Sequence, residues 1–131
     1  MSDAPSLSGV YKLVELQRGG RLVDVVKLSP GKHTYPGLKQ LHRTFVGSAF
    51  AGDLVTAADE PVTGSIPILE LVVSEGKRVN APEPLEAIRD RSRATLAALP
   101  DGVKRLRDPD RYPVRFSDQL ERRRTAAAAR L

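Results

Sequence analysis

The chain has 131 residues, 40% apolar and 28% charged, with 21 Lys or Arg against 16 Asp or Glu for a formal net charge of +5. That length holds one domain and excludes a multidomain enzyme, and the composition is neither that of a disordered polyampholyte nor that of a membrane protein. Cysteine is absent, which excludes disulfide scaffolds, thiolate zinc sites and cysteine nucleophiles.

The longest apolar run, Ile66 to Val73, is broken by Pro67 and Glu70 and falls short of the roughly 18 residues that span a bilayer. Met1-Ser-Asp-Ala-Pro5 lacks the basic-then-apolar order of a secretory signal, so a cytoplasmic location is expected. The charge is uneven: residues 1–50 carry a net +4, residues 51–99 a net −3 and residues 100–131 a net +4. A sequence pI near 9.9 invites a nucleic-acid reading. Only six residues are aromatic and none is Trp. No stacking motif interleaves them with the basic residues, which makes nucleic acid a poor fit.

In chain order, residues 9–28 read as a β-hairpin. Val10, Lys12, Val14 and Leu16 alternate with Tyr11, Leu13, Glu15 and Gln17; Arg18-Gly-Gly-Arg21 supplies the turn, and Leu22 to Leu28 returns. Ser29-Pro-Gly-Lys-His-Thr-Tyr-Pro-Gly37 holds two Pro-Gly pairs and predicts an ordered loop. Lys39 to Val46 predicts a third strand, Asp53 to Ala57 a short fourth and Ile66 to Val73 a fifth, followed by a turn through Glu75-Gly-Lys77. The last two are the most apolar and are the expected core.

From Pro84 the period changes from 2 to 3.6. Leu85, Ile88, Leu96 and Leu99 share one face of a helix that Pro84 opens and Pro100-Asp-Gly102 stops. Tyr112 to Phe116 reads as extended, and Ser117 is placed to cap a last helix. The Arg122-Arg-Arg124 run and the Ala tail of that helix suggest exposure and fraying. The pattern is α+β: mixed strands, then two C-terminal helices, in a single region 1–131 that is strand-rich over 9–74 and mainly helical over 82–131.

Signals of chemistry are sparse. Gly47-Ser-Ala-Phe-Ala-Gly52 has the glycine spacing of a phosphate loop, but Asp53-Leu54 stands where Lys-Ser/Thr is required. His33 and His42 are nine residues apart with no carboxylate in metal-ligand spacing. Loop packing is expected for His33 and an exposed strand position for His42. Asp108-Pro-Asp110 reads as a turn. One cluster stands out: Lys12, Lys27, Lys32, Thr34 and Lys39, with Ser29, lie within 28 residues. Lysines on adjacent strands beside a loop of hydroxyls and N–H groups suit phosphate; they equally suit a solvated face.

The same segment resembles a known family. Gly9-Val-Tyr-Lys-Leu-Val14, Lys27-Leu-Ser29, Gly31-Lys32, Thr34, Pro36-Gly37, Lys39-Gln40 and Arg43 closely resemble the C-terminal third of nicotinate phosphoribosyltransferase. The resemblance continues through Glu83-Pro-Leu-Glu-Ala87, Ala98-Leu-Pro100, Arg105-Leu106 and Tyr112-Pro-Val-Arg115, and covers nearly the whole chain in order.

It implies the C-terminal part of a type II phosphoribosyltransferase, an α/β barrel plus an open-faced domain. The family joins nicotinate to phosphoribosyl pyrophosphate, giving nicotinate mononucleotide for NAD synthesis. ATP is its co-substrate and Mg its cofactor, and its members act as homodimers. By the resemblance, the nicotinate-binding residues, the phosphorylated histidine and the Gly-rich 5′-phosphate motif all lie upstream of Met1. Neither His33 nor His42 matches that histidine. The expectation is a fragment that binds no cofactor alone, is probed best beside its barrel half, and offers Lys12, Lys27, Ser29 and Lys32 to substrate phosphates. Residues 9–57 would then expose Val10, Val14, Val25, Leu28, Leu54 and Val55 as an orphaned apolar patch. The competing expectation is a stand-alone, basic, β-rich module that binds anions or RNA.

Overall fold

A computed structural model describes residues 9–130. In chain order they form β1 (Glu15–Arg18), β2 (Arg21–Asp24), β3 (Lys39–Val46), β4 (Ala49–Ala57), β5 (Ile66–Pro67), β6 (Val73–Ser74), β7 (Lys77–Arg78), α1 (Leu85–Ala98), β8 (Val114–Phe116) and α2 (Asp118–Ala128). The class is α+β. The described residues divide into two compact units, residues 9–38 with 120–130 and residues 39–119.

In the first unit β1 and β2 pair antiparallel, with Glu15 opposite Asp24 and Arg18 opposite Arg21. Gly19 and Gly20 form the two-residue turn at φ 56° and 77°, positive values that only glycine reaches without strain and that match the twist of the strands. The hairpin is shorter than its alternation suggests. The return strand ends at Asp24, one rung short of its last ladder bond, from Val25 N to Val14 Oxygen at 3.0 Å. The same oxygen also accepts from Gly37 N at 2.9 Å, which ties the following loop to the hairpin.

That loop meets the C-terminal helix. Arg123 grips Asp24 with two bonds, Nη2 to Oδ1 at 2.6 Å and Nε to Oδ2 at 3.1 Å, with Glu15 3.9 Å away. Tyr35 donates to Glu121 at 2.6 Å, and Arg124 lies over the Tyr35 ring at 4.8 Å. Gly37 sits at φ 72°, and a Cβ there would strike the Arg123 guanidinium, whose Cζ is 2.9 Å away. The basic run is therefore not a frayed surface: Arg123 is an anchor, and Leu120 and Ala127 of α2 are buried.

The second unit is built on a four-stranded sheet in the order β5-β3-β4-β8. The β3–β4 hairpin carries it, from Lys39 opposite Ala57 to Val46 opposite Ala49, with a bulge after Thr44. β3 has the predicted bounds. β4 begins at Ala49, four residues before the predicted start, because Gly47-Ser48 is a tight turn and Phe45 can then pack edge-on against Phe50, centroids 5.3 Å apart. β8 adds parallel to β4.

The predicted fifth strand is mostly not a strand, and it is not core. Only Ile66 and Pro67 pair with β3. Proline offers no N–H to a ladder, and the Gln40 side chain then takes the place of a neighbouring backbone: its Oε1 accepts from Leu69 N at 2.9 Å and its Nε2 donates to Leu69 Oxygen at 3.0 Å. The chain turns away, and Leu69, Leu71, Val72 and Val73 are all exposed. β6 and β7 make a separate two-stranded ribbon. Pro84 occupies the cap position just before α1, in extended geometry. Leu99 at the other end is also extended, ahead of Pro100. No residue of α1 is buried.

The orphaned patch expected over residues 9–57 is only partly there: Val10 and Leu28 are exposed, whereas Val14, Val25, Leu54 and Val55 are half-buried. Leu120 is fully buried and Leu85 is 55% exposed. We expect Leu120→Ala to lower stability by about 2–5 kcal/mol, the range for truncating a packed leucine, and Leu85→Ala to change it by under about 0.5 kcal/mol. Urea unfolding midpoints of the two variants check the contrast.

Candidate functional site

The predicted phosphate ligands lie in the first unit. Lys27 and Thr34 close a loop in both directions: Lys27 N donates to Thr34 Oγ1 at 2.8 Å and Thr34 N donates to Lys27 Oxygen at 3.2 Å. Inside it Lys32 N donates to Ser29 Oxygen at 2.9 Å. Thr34 is buried, and Lys27, Ser29, Lys32 and His33 are exposed around it. Lys27, Ser29 and Lys32 therefore share one ordered loop. Lys12 is exposed on the extended segment before β1; the register that sets Glu15 opposite Asp24 would set Lys12 opposite Lys27, three pairs beyond the end of the ladder. Lys39 opens β3 in the second unit. The loop presents two ammonium groups, a hydroxyl and the His33 imidazole to solvent, a set that can hold an anion.

A second cluster, not singled out by the sequence, centres on Asp53 of β4. Arg43 sits directly opposite on β3 and donates to it twice, Nε to Oδ1 and Nη2 to Oδ2, both at 2.8 Å. Tyr112 donates to the same Oδ1 at 2.9 Å. The guanidinium stacks 4.4 Å over the Phe50 ring. Arg43 holds the Asp53 carboxyl below its ordinary range, with Tyr112 assisting against the opposing effect of burial. Burial, then the bond to Asp53, raises the Tyr112 hydroxyl. A carboxylate ionised and occupied in this way is a structural acceptor and a poor general base. The one signal in the sequence is a pair of opposite charges, Arg43 and Asp53, on either side of the Gly47-Ser48 turn; it is the bulge after Thr44 that sets them opposite.

His42 corrects the sequence reading: it is buried, with Ser65 Oγ 3.2 Å from Nδ1 and Nε2 unbonded among the described residues. β3 is an interior strand with neighbours on both sides, so a polar residue on it is covered. Asp108 adopts φ 47° in a turn, and Asp110 pairs with Arg105. Among the described residues no group of three His, Cys, Asp or Glu is placed to hold a metal ion. Among those residues no helix is long and apolar enough to cross a membrane.

Residues 62–124 match the family model described as the nicotinate phosphoribosyltransferase C-terminal domain. Over 120 residues the chain is 37% identical to nicotinate phosphoribosyltransferase pncB2 of Mycobacterium tuberculosis, covering 90% of this chain and 25% of that protein. The chain belongs to the nicotinate phosphoribosyltransferase family. A Bacillus subtilis nicotinate phosphoribosyltransferase is 28% identical over 142 residues, covering 88% of this chain and 29% of that protein. The crystal structure of human nicotinic acid phosphoribosyltransferase shares the fold at a TM-score of 0.73 and 23% identity, over 94% of this chain and 27% of that one. The chain thus spans about a quarter of the length of the relatives it matches.

The Asp53 cluster has a pH signature. Its folded-state carboxyl is depressed, so its contribution is complete above the unfolded value near 3.8 and fades as the pH falls through the lower folded value. We expect Asp53→Asn to cost about 1–3 kcal/mol at neutral pH, as for a buried charged partner left unmatched. The gap to the parent should begin to narrow below about pH 3.8 and close only as the pH falls through the lower folded value, where the native carboxylate is itself protonated. Urea titrations of both proteins from pH 7 to pH 2.5 read this directly.

Proposed function

We infer that this chain serves as the C-terminal part of a nicotinate phosphoribosyltransferase, the enzyme that joins nicotinate to phosphoribosyl pyrophosphate, with ATP hydrolysis, in NAD synthesis. The observation that carries the reading is 37% identity to such an enzyme across 90% of this chain. By itself the chain does not form nicotinate mononucleotide: the Asp53 carboxylate is taken up by Arg43 and Tyr112 and that of Asp24 by Arg123, and His42 is buried in the sheet. ATP and Mg act at residues supplied by the remainder of the enzyme, and the homodimer of the family is the assembly in which the chain works.

Its contribution to chemistry is charge placement by Lys12, Lys27 and Lys32, with the Ser29 hydroxyl. Ammonium groups held on an ordered loop favour a polyphosphate as point charges and leave the nicotinate ring untouched. Because all four residues are exposed, each lysine contributes on the scale of an exposed ion pair, about 0.2–1 kcal/mol, screened by salt.

Two assays test this. The purified chain with nicotinate, ATP and phosphoribosyl pyrophosphate should give no product; turnover proportional to the chain's concentration would contradict the reading. A chimera in which the chain replaces the matching quarter of the Mycobacterium tuberculosis relative should be active. In it Lys12→Ala, Lys27→Ala and Lys32→Ala should each raise KM for phosphoribosyl pyrophosphate or ATP by about 1.5- to 5-fold without moving KM for nicotinate. Unchanged kinetics for all three would return these lysines to the solvated surface.

A further inference from the structure

Within the second unit an open groove of about 930 Å³ runs between α1 and the segment that leaves the sheet at β5. Ile66, Ile68, Leu69 and Val72 line one side, and Ile88 and Leu96 the other. Every one of these side chains is exposed, Val72 at 66% and Leu96 at 58%. Of the twenty-one large apolar side chains exposed among the described residues, ten fall between Ile66 and Leu96. An apolar surface of that extent, rimmed by charge, is the mark of an interaction site.

The charges at the rim say what does not bind. Arg91 is paired with Glu83 and feels Glu70 as well, and Arg43 is held by Asp53. The groove's cations are matched within the unit, so a phosphate or nucleic acid gains nothing there. A second copy of the chain is also a poor occupant. A two-fold contact sets the same face against itself, and a groove facing a groove leaves no side chains to fill either. The relatives supply the alternative: in them this region accompanies about three further quarters of polypeptide.

We propose that the groove between α1 and residues 66–72 is the surface on which the remainder of the phosphoribosyltransferase docks, through an apolar segment laid in it. The proposal rests on the functional reading above and adds to it the face used. That face is the helix side of the second unit rather than residues 9–57. Helix-in-groove recognition needs anchors at i, i+3 or i+4 and i+7, and an open apolar trough with internally paired charges accepts such a stripe.

The absence of cysteine from the chain allows a direct test. Val72→Cys, Leu96→Cys and, as control, Leu22→Cys place single thiols at positions that are all more than half exposed in this chain, so folding is preserved. Maleimide labelling is followed in the chain alone and in the chimera, against a chimera without the added thiol. V72C and L96C should react freely in the chain alone and at least tenfold more slowly in the chimera, with L22C reacting alike in both. Equal labelling of V72C and L96C in the two proteins, or protection confined to L22C, would overturn the proposal. Protection that grows with concentration in the chain alone would also overturn it, by making the occupant a second copy. Labelling does not depend on turnover, so an inactive chimera with protected thiols would sink the functional reading and leave the docking face standing.

Discussion

A single carboxylate takes hydrogen bonds from Arg43 on one strand and from Tyr112 far along the chain, and the second unit is organised by meeting that demand. Asp53 is nearly inaccessible, and a buried carboxylate is costly unless its oxygens are satisfied. Satisfying it fixes the β3–β4 register, because only one pairing sets Arg43 opposite. It also draws in the approach to β8, whose backbone is held by Asp53 N bonding Pro113 Oxygen at 2.9 Å and by Ser117 N bonding Val55 Oxygen at 2.9 Å. The stacked Phe50 ring completes the arrangement by covering the guanidinium. Ser117 at the far end of β8 donates to Glu60 at 2.6 Å, so both ends of that short parallel strand are tied.

What this network does not do is bury α1. The helix has 14 residues, close to the length at which isolated helices are marginal in water, and its ion pairs, Arg93 with Asp90 and Arg91 with Glu83, are exposed and worth little. Helical stability in proteins comes mostly from a packed apolar face. Here that face is present in sequence and uncovered in the fold. The sheet is thus a finished element, and the helix is left without a cover.

Much of this was legible from residues alone. Gly19-Gly20 and the alternation of Lys39 to Val46 placed a hairpin and a strand correctly, since positive φ and a period of two leave few alternatives. Pro84 and Pro100 bracketed α1 for the same kind of local reason. The failures share one cause, which is that burial is decided by partners distant in sequence. Ile66 to Val73 has the composition of a core strand, yet Pro67 and the Gln40 amide turn it outward. His42 and Arg123 look like surface residues until a flanking strand and Asp24 are supplied. The lysine loop was legible as a cluster, because Lys27, Ser29 and Lys32 are close in sequence. The Asp53 cluster was not, because Tyr112 is 59 residues away.

The central claim is a division of stability between a sheet closed on Asp53 and a helix left without a cover. Native-state hydrogen exchange on the chain alone tests it. Amides of β3 and β4 should exchange slowest, near the global unfolding limit, and those of α1 should exchange orders of magnitude faster through local opening. Protection of α1 equal to that of β4 in the isolated chain would contradict the account, because it would show the helix to be complete as it stands.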